Sequence, residues 1–169
     1  VEGPTDTVVI QEMLKWLNIG PSYNVKFWPL GGDIMASLDL SVFTERNNVF
    51  AIVDHDPGSG RARNQFLKHC EQYNIPCTRL KGRAIENYFS LEAIRAVFPD
   101  QISAELETLS PKESVDKQIG FTNGKSIKKK NGEIVKHMNL SDIEGTDLQE
   151  FLMKIKTFLD NAEKPSTNA

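Results

Sequence analysis

The chain is poor in several features, and each shortage removes a class of protein. Two cysteines occur in 169 residues, Cys70 and Cys77. They have neither a metal-binding spacing nor a disulfide framework, so a reduced, cytoplasmic setting is expected. No apolar run is long enough to span a bilayer, and no stretch reads as a signal peptide. The net charge of −3 gives no global basic field that would argue for nucleic acid. No repeat or low-complexity block suggests a solenoid or a linker-rich chain. What is left is an ordinary globular composition, long enough for one domain with a real core.

The organising stretch is Val49-Phe50-Ala51-Ile52-Val53-Asp54-His55-Asp56-Pro57-Gly58. A continuous apolar run closed by Pro and Gly reads as a strand buried on both faces. In open α/β sheets, ligands collect beyond the carboxyl ends of the strands, which is where Asp54 and Asp56 stand. Residues two apart in an extended segment point the same way, so the two carboxylates can converge on a hard cation. His55, facing the other way, reads as structural. Two further acidic fragments sit at strand ends, Glu2-Gly3-Pro4-Thr5-Asp6 and Ile85-Glu86-Asn87-Tyr88. Asp6 reads equally as helix cap or ligand, and Tyr88 as hydrogen-bonded packing.

In chain order, the first residue is Val, not Met, and a strand is expected before Val1 in a longer protein. A helix is expected from Asp6 to Leu17, with Val9, Met13, Trp16 and Leu17 on one face and Thr5 or Asp6 as cap. Val25–Pro29 is expected to be a strand. Gly31-Gly32 is expected to form a tight turn, leading into a second helix through Leu38. A third helix, Arg61 to Tyr73, follows the buried strand, and Ile75–Leu80 reads as the fourth strand. This alternation predicts a mostly parallel sheet with helices on both faces. Beyond it, Ser90 is expected to cap a helix through Phe98. Residues 99–112 are expected to be partly helical. A loop is expected from Phe121 to Gly132, a short helix from Glu133 to Leu140, and an amphipathic helix from Asp147 to Asp160. The domain reading is a catalytic core over 1–98, a helical extension over 99–162 with a Lys-rich loop, and a disordered tail over 163–169. Lys125, Lys128, Lys129, Lys130 and Lys136 cluster in that extension, as either a solvated loop or a DNA-tracking patch.

The acidic fragments, in this order, resemble the TOPRIM domain, whose signature is a Glu-Gly turn followed later by Asp-x-Asp; here these are Glu2-Gly3 and Asp54-His55-Asp56. Asp6, four after Glu2, together with Glu86-Asn87-Tyr88, looks like the OLD (overcoming lysogenization defect) family of nucleases. Ala84 departs from that family, which often carries Ser two before the last Glu. The resemblance implies a Rossmann-like α/β fold and a metal-dependent DNA endonuclease. It also implies an ATPase domain N-terminal to this segment, a tendency to homo-oligomerise and a place in antiphage defence, with its partners.

The resemblance further implies two Mg²⁺ or Mn²⁺ ions, one held by Glu2, Asp6 and Asp54 and the other approached by Asp54, Asp56 and Glu86. Two such ions about 4 Å apart stabilise both oxygens of an in-line displacement. Lys130 is the first choice for the cation that faces the phosphate, and Lys136 the second. Two other readings stand beside this one. A catalytically silent scaffold would keep the fold and bind DNA or partners. An aspartyl-phosphate phosphatase would need Asp where Glu2 stands.

Overall fold

Ala51–Val53 forms strand β1, and all three residues are buried, as a continuous apolar run requires. It pairs in parallel with β2, Cys77–Arg79, in the register Ala51↔Cys77, Ile52↔Thr78 and Val53↔Arg79. The two are joined by helix α2, Gly60–Gln72, so the centre of the fold is one βαβ unit. The computed structural model describes residues 1–21, 23–43, 48–122 and 124–162. Among them the sheet has these two strands and no more. The fold is therefore mixed α/β with a small parallel sheet, narrower than the sequence suggests.

Side chains alternate across β1 and separate two cores. Ile52 belongs to a large cluster with Val9, Met13, Ile94, Ile134 and Leu148. Ala51 and Val53 face a smaller one with Met35, Leu40, Phe66 and Cys70. The large cluster is built from helices α1 (Pro4–Trp16), α3 (Leu91–Val97), α5 (Asn131–Ile134) and α6 (Asp147–Ala162). A further short helix, α4, spans Val115–Gln118. Residues 99–162 thus complete the same core as residues 1–98, through Val115, Ile127, Ile143 and Phe151.

Several elements fall where the residues point. Ser90 caps α3, its Oγ accepting from the Ala93 N–H at 3.3 Å. Gly31 and Gly32 both have positive φ, 75° and 59°, which makes them the expected tight turn.

Others differ. α1 begins at Pro4, a residue pre-organised for the first helical position. The second helix is a 3₁₀ segment, Gly32–Ser37. Val25–Pro29 lies outside any strand. It is tied to the N-terminal segment by the Val1 amino group, which donates to Trp28 O at 3.3 Å, and just beyond it by Leu30 N–H to Val1 O at 2.9 Å and Gly31 N–H to Glu2 O at 3.1 Å. Residues 99–112 form turns without a helix. The stretch read as a loop contains a 3₁₀ turn, Ile127–Lys130, that leads directly into α5. The tail 163–169 lies outside the described residues.

Candidate metal and phosphate site

The carboxyl end of β1 gathers the acids from all three fragments. Glu2 reaches it through Oε2, which accepts the Asp54 N–H at 3.0 Å across 52 residues of sequence. Asp6 is held at the first turn of α1, where its Oδ2 accepts the Gly3 N–H at 2.7 Å. It is therefore a cap by contact, and it is also buried, at 6% exposure. Glu86 lies in the 3₁₀ turn Ile85–Tyr88 and is 3% exposed. Asp54 is 6% exposed, and no donor reaches its carboxylate among the described residues.

The electrostatics follow from that burial. Desolvation, followed by the fields of Asp6, Glu2 and Glu86, pushes the Asp54 carboxyl up to about 8. Asp6 is raised to about 6, again by desolvation first, with its Gly3 hydrogen bond opposing and Glu86 adding to the rise. Like charges held this close in a dry setting favour the neutral acid unless a cation joins them.

Among the described residues two cations form ion pairs with these acids, and neither is the one expected. Arg63, on α2, is fully buried. Its Nε donates to Glu2 Oε2 at 2.9 Å and its Nη2 to Glu2 Oε1 at 2.6 Å. Nη2 also donates to Asp56 Oδ1 at 3.0 Å. Nη1 donates to the Asp56 and Gly58 carbonyls at 2.8 and 2.9 Å. Every guanidinium N–H has a partner. The second cation is Lys128, whose Nζ lies 4.0 Å from Glu86 Oε2. Burial works against its charge, but the fields of Glu86, Asp54, Asp6 and Asp56 outweigh it and raise its pKa. Lys130 instead turns to Glu133 at 2.6 Å and is half exposed, and Lys136 is exposed.

Asn131 is the third residue that sequence reasoning did not single out. Buried at 1% exposure, it donates from Nδ2 to Glu86 Oε1 at 2.7 Å, and its own Oδ1 is buried without a partner. A signal for Arg63 did exist: it falls on the buried stripe of α2 with Phe66 and Cys70, where an arginine is out of place unless paired. Nothing in the sequence separates Lys128 from its two lysine neighbours.

Other expected residues have plain structural duties. The His55 ring nitrogen Nδ1 lies 3.2 Å from the Leu80 carbonyl, and the Tyr88 hydroxyl donates to Asp147 Oδ1 at 2.8 Å. A small cleft of about 110 Å³ opens beside the acids, lined by Asp56, Arg83, Glu86, Asp116 and Lys128 among others. A larger cavity, of about 500 Å³, lies elsewhere, around Tyr88, Leu109 and Asp147. The smaller one is the one that touches Asp56, Glu86 and Lys128.

The site divides when tested against a divalent ion. Asp54, Asp6 and Glu86 offer buried oxygen ligands whose charge Lys128 only partly offsets, which is the donor chemistry that Mg²⁺ or Mn²⁺ takes. Glu2 and Asp56 are turned onto Arg63. Among the described residues, no three acid, histidine or cysteine side chains close around one point as a metal cage. Comparison with known protein families, characterised proteins and solved structures returns no match.

Proposed function

We propose that this chain is the nuclease domain of a metal-dependent DNA endonuclease with a TOPRIM-like, OLD-type site. The observation that carries the proposal is the burial of Asp6, Asp54 and Glu86, drawn from three distant segments and near enough for their charges to act on one another, with Lys128 Nζ 4.0 Å from Glu86. Asp54, Asp6 and Glu86 would hold Mg²⁺ or Mn²⁺. The bound ion supplies charge neutralisation on the phosphate and a more acidic water. Lys128 presents a point cation to the phosphate oxygens from the cleft. Asn131 orients Glu86, and Arg63 fixes Glu2, whose Oε2 in turn pins the Asp54 backbone. The same resemblance extends the proposal to an ATPase domain N-terminal to this segment, homo-oligomers, a cytoplasmic setting and antiphage defence.

The test is cleavage of supercoiled plasmid in Mg²⁺, Mn²⁺ or EDTA, beside Asp54→Asn. Metal-dependent nicking or linearisation, reduced at least about 100-fold in the variant, is the expected result. Absence of cutting under every metal, with DNA binding intact, contradicts it. That outcome favours a silent scaffold, a reading supported by the bidentate hold of Arg63 on Glu2.

A further inference from the structure

We infer that Arg63 permanently fills the position a second divalent ion would take, so that the acid cluster binds one ion rather than two. The inference rests on the metal-dependent reading above and narrows it.

In the two-ion arrangement Glu2 serves one ion and Asp56 the other, and here both are bound to the same guanidinium, so each ion loses one of its carboxylates. Arg63 meets both oxygens of Glu2 and one of Asp56 at 2.6–3.0 Å. Its remaining N–H groups are taken by the Asp56 and Gly58 carbonyls. An ion at Glu2 would have to displace a fully buried cation that has no water to turn to. Breaking one partner of a buried pair leaves the other charged and uncompensated. An arginine in this geometry is not displaced by a metal; it substitutes for one.

The other half of the cluster has the opposite character. Asp54 meets no donor among the described residues, and Asp6, on α1, has only its cap bond and a long contact from the Thr5 hydroxyl. Glu86 keeps Oε2 free of hydrogen bonds, with Lys128 Nζ at 4.0 Å. A second, independent observation points to a ligand there. Asn131 is buried against Glu86 and leaves Oδ1 without any donor. A neutral, buried oxygen with no proton to accept, on the amide that holds Glu86, is a ligand of the kind a hard cation takes. The single ion is therefore assigned to Asp54, Asp6 and Glu86, with the Asn131 oxygen beside them.

The test is Mn²⁺ binding, read as stoichiometry by calorimetry and by the paramagnetic resonance of free Mn²⁺, with no nucleic acid present. One Mn²⁺ per chain, lost in Asp54→Asn, is expected. Two per chain overturn the inference and leave the metal-dependent reading standing, whereas none overturns that reading and the inference with it. Arg63→Met sharpens the result. With the guanidinium gone, Glu2 and Asp56 are released, and a second Mn²⁺ is expected. A folded Arg63→Met protein that still takes one ion shows that Arg63 was not occupying a metal position. Should that variant fail to fold, the wild-type stoichiometry decides alone.

Discussion

Asp54 is where the fold concentrates unfavourable electrostatics. Its carboxyl is raised to about 8 by burial and by the acids around it, well above the ordinary range near about 4. The folded state therefore binds this proton more tightly than the unfolded chain does. Between about 4 and about 8 the folded protein holds more protons, so stability falls as pH rises through that window. Asparagine mimics the protonated acid and is spared this cost. Each tenfold change in acidity corresponds to about 1.4 kcal/mol, so even half the displacement predicts an Asp54→Asn protein more stable by roughly 2–3 kcal/mol at pH 8.5 in EDTA. The advantage shrinks as the pH is lowered toward 5. Thermal unfolding of both proteins across that range checks it; equal stability at pH 8.5 would show that Asp54 is hydrated and of ordinary acidity. A variant that loses activity while gaining stability is the usual mark of a functional acid held in an unfavourable place.

At the level of elements, the site depends on how closely α5 approaches α1. A methyl group built on Gly132 would sit 2.8 Å from Val8 Cγ1, and Val8 is β-branched and stiff in its helix. Gly132 therefore lets Asn131 come near enough to hold Glu86. Gly132→Ala is expected to destabilise by about 1–3 kcal/mol, and Val8→Ala in the same chain is expected to recover most of it. Denaturant unfolding of the single and double variants decides; a neutral single variant would mean that the helices simply move apart.

The legibility of these elements in the sequence follows the same physics. β1 was readable because burial on both faces leaves an unbroken apolar run, and α3 because Ser90 is a cap that needs no distant partner. Val25–Pro29 carries strand-forming residues but finds no ladder, and backbone pairing leaves no local trace. The acids were readable because each stands at the end of its own element. Arg63 was readable only as a charge on the buried stripe of α2, because its partner Glu2 lies 61 residues away. Lys128 was not, because three successive lysines look alike until the turn Ile127–Lys130 aims one of them at Glu86.

At the scale of the whole molecule, the two cores meet at a two-stranded sheet, and the acid cluster sits at the sheet's carboxyl end. Residues from 2 to 131 contribute to it, so occupancy of the site is coupled to the global fold. A ligand that binds only the folded state stabilises it by mass action, about 2.7 kcal/mol at a hundredfold excess over Kd. No helix among the described residues is long and apolar enough to cross a membrane. The most direct measurement is the Tm at pH 8 with and without Mg²⁺, for the wild type and Asp54→Asn. A saturable rise of about 5 °C or more in the wild type, absent in Asp54→Asn, is the predicted result. Equal shifts in both proteins, or none in either, would contradict a divalent-ion site at Asp54.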